Sequence, residues 1–181
     1  MIHSNTERLI DYWRERKDGV LSPGRSSIEP TDFADLLPQS FILGRAAPGQ
    51  FLFRLAGGQL TRLHQRDLRR SDVLSLWRPA DRPRLSAAME APRRAGEPLI
   101  LTAQAVADTG HSAKIEILLA PLRAEAAPQD RFLGLYQPLE PINLLRDRKS
   151  VELSLIGFAT PSESLVRPTI RLAALDGRTV G

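Results

Sequence analysis

The stretches Leu99-Ile-Leu-Thr-Ala-Gln-Ala-Val106 and Ala113-Lys-Ile-Glu-Ile-Leu-Leu-Ala120, joined by the turn Asp108-Thr-Gly110, decide the reading of this chain. In the second stretch Lys114 and Glu116 alternate with Ile115 and Ile117, the period of a strand with one wet face. A polar, Ala-rich loop over 123–130 leads to a third strand, Arg131-Phe-Leu-Gly-Leu-Tyr136, and Pro138 and Pro141 mark a boundary.

Working upstream, Asp81 to Arg94 reads as a helix that starts after Pro79 and stops before Gly96. The segment 59–75 is short-helix or loop material anchored by Leu60, Leu63, Leu68, Val73 and Leu74. Phe41-Ile-Leu43 and Phe51-Leu-Phe-Arg-Leu55 are strand-like and flank Ala46-Ala-Pro-Gly-Gln50, which reads as a hairpin ended by Gly57-Gly58. Asp32 to Leu37 forms a short helix closed by Pro38. Ser4 and Glu7 have capping-box spacing before Leu9, Ile10 and Trp13, which predicts an amphipathic helix over 5–17 with Gly19 as its stop. Downstream, 142–181 form a tail in which Val151 to Phe158 alternates like a strand and Ile170 to Leu175 is a second apolar patch.

The composition is that of a soluble globular chain. It has 181 residues, 42% hydrophobic and 25% charged, and 25 Lys+Arg against 21 Asp+Glu give a net charge of +4. That is enough to bury a core without disulfides or metals. The basic excess sits in residues 62–94, where nine Arg face four Asp or Glu. With no cysteine, thiolate zinc sites, Cys nucleophiles and disulfide scaffolds are excluded, and three histidines leave little for a metal. No run of about 18 apolar residues exists to span a membrane. The N-terminus lacks a basic-then-apolar profile, so the expected location is cytoplasmic.

Two strands, a helical crossover and three strands is an order that resembles the PAS domain. The likeness extends to Asp11-Tyr-Trp-Arg14, Arg25 to Pro30, Asp32 to Pro38, Phe53-Arg-Leu-Ala-Gly57, Arg66-Asp-Leu68 and Trp77 to Arg82. Together these are similar to a subfamily of stand-alone alphaproteobacterial PAS proteins, over roughly residues 5–138. The resemblance implies an α+β fold, a five-stranded antiparallel sheet with crossover helices on one face. The chain then divides into an N-terminal helix (1–20), the PAS-like domain (21–138) and a tail (139–181) with one or two added strands or partial disorder. One departure stands out. A segment that reads Gly-x-Asp-Leu-x-Gly in the subfamily is Gln65-Arg-Asp-Leu-Arg-Arg70 here, and loss of both glycines predicts a reshaped turn.

PAS domains often enclose a small ligand between sheet and crossover helices. The implied lining is Phe41, Leu43, Phe53, Leu55, Leu60, Leu63, Trp77, Leu85, Leu99, Leu101 and Tyr136. Either these residues fill the core or they surround a cavity; both readings stay open. Haem in such domains commonly takes a histidine from the longest crossover helix, and 81–94 has none. His64 lies earlier and reads as a surface or turn residue. A cysteinyl flavin is excluded and a non-covalent one has no positive sign, so the cofactor is unknown.

Arg62, Arg66, Arg69 and Arg70 recur at three and four, which on a helix makes one basic face for phosphates or an acidic protein. The alternative is a solvated face partly paired with Asp67 and Asp72. Nucleic-acid readout also wants exposed aromatics or a reading helix, and neither is visible. Leu9, Ile10, Tyr12 and Trp13 have the composition of an interface anchor for a homodimer, or else pack on the chain's own sheet. No nucleophile elbow, phosphate-binding Gly-rich loop or His-Glu-x-x-His occurs, and no carboxylate pair is marked, so catalysis is not expected. The resemblance implies a non-catalytic sensor or adaptor in bacterial signal transduction. By family analogy its partners are signalling proteins such as histidine kinases. The rival readings are a basic regulator binding nucleic acid and a ligand-free dimeric scaffold.

Overall fold

A computed structural model describes residues 1–17, 19, 22–124, 127–145 and 150–161. Its elements are α1 (Ser4–Glu15), β1 (Ser40–Ala47), β2 (Gln50–Ala56), α2 (Gly58–His64), α3 (Arg82–Ala95), β3 (Leu99–Ala107), β4 (Ser112–Ala124), β5 (Ala127–Pro138) and β6 (Val151–Ala159). A 3-10 stretch, Pro30–Gln39, precedes β1, with a kink at Phe33. The strands form one antiparallel sheet in the order β2-β1-β5-β4-β3-β6. Five of them are the expected strands. The sixth, from the tail, pairs with β3 from Ile100–Ala159 to Ala107–Val151. The apolar patch 170–175 lies outside the described residues.

Both faces of the sheet are covered. On the inner face α2, α3 and the segment between them pack on Ala113, Ile115, Ile117 and Leu119 of β4. On the outer face Leu9, Ile10 and Trp13 of α1, with Phe33 and Leu36, pack on Leu118, Ala120 and Leu122. The wet face expected from Lys114 and Glu116 is therefore not wet at Glu116, which is 4% exposed. Its carboxylate accepts the His3 N–H at 3.1 Å, a negative charge set at the N-terminus of α1. The helix is capped by His3, not Ser4: the His3 Nδ1 accepts the Asn5 N–H at 3.1 Å. The loop expected over 123–130 is also replaced. β4 and β5 run on until Ala124 faces Ala127, because inter-strand hydrogen bonding extends past the apolar pattern.

Both sheet edges are closed by loops from the inner face. Beside β2, Phe53 donates its N–H to Ser71 O at 3.0 Å and accepts the Arg70 N–H at 2.8 Å. Beside β6, Leu153 accepts the Arg78 N–H at 2.9 Å, and Leu155 donates to Asp81 Oδ2 at 2.9 Å. Backbone groups that would otherwise recruit a stranger's strand are thus occupied at these positions.

The turn around Leu68 has left-handed backbone at both positions where glycine was expected. Gln65 (φ 48°) and Arg70 (φ 64°) are the described non-glycine residues with positive φ, and they stand where the two glycines were expected. Holding an ordinary residue in this left-handed region is disfavoured by about 1–2 kcal/mol. Gln65, exposed at the end of α2, has its side chain in solvent. Gln65→Gly is therefore expected to raise stability by about 1 kcal/mol, part of the relief being offset by glycine's greater unfolded freedom. A urea midpoint below that of the parent would contradict this.

Candidate functional site

The inner-face core contains a small void, between the sheet and the crossover helices. Phe41 of β1, Phe53 of β2, Leu60 of α2, Leu85 of α3, Leu101 of β3 and Tyr136 of β5 reach it, as does Trp77. Leu43, Leu63 and Leu99 are buried in the same cluster but do not line the void. Leu55 departs altogether: it is 51% exposed. The register shifts between Ile42 and Leu43, which face Leu55 and Phe53, so the bulge at Arg54 turns Leu55 away from the inner face.

Sequence reading missed Val73, Leu76, Met89, Ile117, Leu119 and Leu153. Met89 sits one turn after Leu85, and Ile117 and Leu119 alternate on β4, so their signals were present. Leu153 alternates in the same way, but it reaches the void only when β6 pairs with β3. The void measures about 20 Å³, room for about one water molecule. A haem or flavin ring system does not fit a space of that size.

Two buried polar side chains meet here: Tyr136 lines the void, and His64 packs against the Tyr136 ring without lining it. His64, at the end of α2, is buried, not a surface residue. Its Nδ1 lies 3.1 Å from Val151 O, so Nδ1 carries the proton and donates to that carbonyl. The ring therefore ties α2 to the start of β6. Burial lowers the His64 pKa to about 4, the Val151 bond opposing, and the imidazole is neutral at neutral pH. Nε2 is then a buried lone pair without a partner. The Tyr136 ring stands perpendicular to the imidazole, with centroids 5.9 Å apart. Its hydroxyl is likewise buried and unpartnered, and desolvation raises its pKa. One donor and one acceptor are thus unsatisfied, each disfavoured by about 1–3 kcal/mol if left so.

The four arginines do not form one helical face, because α2 ends at His64. All four are exposed, and among the described residues none makes an ion pair. Arg62 Nε donates to Gly58 O within α2, and an Arg66 guanidinium nitrogen donates to Ser75 Oγ at 2.8 Å. The expected partners are engaged elsewhere: Asp67 accepts the Arg69 N–H, and Asp72 accepts the Leu74 N–H.

Of the two readings of the N-terminal helix, packing on its own sheet is the one observed. Leu9, Ile10 and Trp13 are buried against it, and the Trp13 indole donates to Pro121 O at 2.7 Å. Tyr12 is half-buried, edge-on to Phe33 and beneath Arg16. Leu9, Ile10 and Trp13 are thus used within the chain, whereas Tyr12 keeps part of its surface exposed. Among the described residues no group of three or more His, Asp or Glu could hold a metal, and no helix is long and apolar enough to cross a membrane.

The family described as "PAS domain" matches residues 1–137. Similar solved structures include the LOV protein of Rhodobacter sphaeroides, 14% identical over 66% of this chain and 73% of that one, with a TM-score of 0.46. Another is an RNA-binding light-oxygen-voltage receptor, 17% identical over 74% of this chain and 40% of that one, TM-score 0.44. A third is the PAS domain of a protein from Colwellia psychrerythraea, 15% identical over 60% and 95%, TM-score 0.43. No curated protein matches the sequence.

Proposed function

The chain belongs to the PAS domain family, and from that premise we propose that it is a non-catalytic sensory or adaptor domain of bacterial signalling whose input is a small polar molecule held against Tyr136 and His64. One observation carries this reading: a buried hydroxyl and a buried imidazole nitrogen, both unsatisfied, on neighbouring rings of the inner-face core. A group that accepts from Tyr136 and donates to His64 Nε2 satisfies both. A hydroxyl does this, in a small alcohol or phenol or in water itself.

The size of the void supplies the switch. At about 20 Å³ it admits nothing larger than water unless α2 and α3 move away from the sheet. A larger occupant therefore binds a different arrangement from the one described, and its binding shifts the population between them. That shift reaches β6, because His64 holds Val151, and Trp77, Arg78 and Asp81 hold residues 153–155. The output is then a change at the C-terminal strand or at a docked signalling partner.

Native mass spectrometry of freshly purified protein, against its denatured mass, tests the reading. An additional mass lost on denaturation and missing from Tyr136→Phe is the expected result. Tyr136→Phe gives a second sign. With an occupant hydrogen-bonded to the hydroxyl, the variant loses about 1 kcal/mol of stability. If the site is empty, removing an unsatisfied hydroxyl stabilises the fold. A bare-chain mass together with a more stable Tyr136→Phe would overturn the proposal.

A further inference from the structure

Arg69 and Arg70, two of the arginines in the basic stretch 62–94, lie beside Arg54 at one edge of the sheet, and their surroundings indicate what they bind. We propose that the outer edge of β2, with Arg54, Leu55, Arg69 and Arg70, is a docking surface for an acidic protein segment that carries an apolar residue. The proposal rests on the reading of the chain as a binding module but not on an occupant of its core.

Backbone hydrogen bonds bring the groups together. The Arg70 N–H donates to Phe53 O at 2.8 Å, which sets the backbone of Arg69 and Arg70 beside that of Arg54 and Leu55, and the Arg54 side chain runs from there over Gly44 of β1. All four are exposed, and no carboxylate among the described residues pairs with these arginines. The nearest acids, Asp67 and Asp72, accept backbone N–H bonds. Arg8, Arg14, Arg16, Arg45, Arg78 and Arg93 each hold an Asp or Glu, and Arg62, Arg66, Arg82 and Arg123 donate to a carbonyl or a hydroxyl of the chain instead. Exposed guanidinium forks without carboxylates are matched to bidentate partners from outside.

Two further observations select a protein over other polyanions. Leu55 is a large aliphatic side chain, 51% exposed, set among the charges by the β2 bulge. Phosphate chains offer it nothing, whereas an apolar residue of a peptide covers it. The aromatics of this edge, Phe51 and Phe53, are buried, so no aromatic ring is exposed here for bases to stack on. At Phe53 the backbone is already paired to the 70–71 loop, so the partner docks through side chains rather than as an added strand.

The test measures binding of a fluorescein-labelled peptide of glutamates around a central leucine, with a labelled oligothymidine in parallel. Arg54→Gln combined with Arg70→Gly removes two charges. Because Arg70 has positive φ, the glycine relaxes the backbone and folding is retained, which a thermal melt verifies. The expected result is peptide binding that weakens with salt, drops roughly tenfold in the double variant, and also drops in Leu55→Ser. Absence of peptide binding at low salt, or equal affinity in the double variant, overturns the proposal. Tighter binding of oligothymidine that ignores Leu55→Ser also overturns it, in favour of nucleic acid. Failure here leaves the core-occupant reading intact, since that is read from the native mass and from the stability of Tyr136→Phe.

Discussion

Replacing Trp13 by alanine is expected to remove about 3–5 kcal/mol of folding stability and to leave the oligomeric state of the folded fraction unchanged. The indole is fully buried in the outer-face core, beside Leu9 and Ile10 and against β4 and β5. Its N–H also satisfies Pro121 O, a buried carbonyl that the alanine variant leaves without that partner. Lys17 lies over the ring, 5.1 Å from its centroid, and loses that contact too. Chemical denaturation gives the stability change, and light scattering gives the mass. A variant as stable as the parent but with half its mass would restore the intermolecular role for this helix.

Gly134→Ala is the second large effect. Gly134 of β5 sits between Phe41 of β1 and Leu119 of β4. A Cβ built there falls on Cε2 and Cζ of the Phe41 ring, which is itself buried and packed edge-on against Phe53. The ring cannot yield outward, because the crossover helices cover it. Overpacking of this kind destabilises by about 1–3 kcal/mol. Because Phe41 also lines the void, the displaced ring moves into the space that an occupant would need. The variant should therefore melt earlier and lose any bound mass as well. An unchanged melting temperature would mean that the strand can shift to accept a methyl group.

Elements whose evidence is local were legible. The α3 helix lies between Pro79 and Gly96 as punctuation predicts, β1, β2 and β3 fall on the strand-like apolar runs, and β4 and β6 fall where apolar and polar residues alternate. The six strands and crossover follow from patterns written within a few residues of one another. Seven of the eleven residues proposed for the pocket do line the void, because a core-facing position on a strand or helix repeats at 2 or 3.6 residues. Leu55 broke the rule through a bulge, which leaves no mark on the alternation.

The remaining features depend on partners far along the chain. Glu116 looked solvated because nothing nearby shows that His3, more than a hundred residues away, folds over it. Arg62 to Arg70 had helical spacing, but their helix stops at His64 and the turn keeps left-handed geometry at Gln65 and Arg70 despite their side chains. The hydrogen bonds of Arg70 and Ser71 to Phe53 accompany that geometry. His64 likewise became a buried tie only when Val151 arrived on β6. Residue type and spacing thus determined the elements and the faces they bury, because propensity and periodicity act over one or two turns. Which polar groups are covered, paired or left unsatisfied was decided by tertiary structure, because desolvation and hydrogen bonding depend on what packs above a residue.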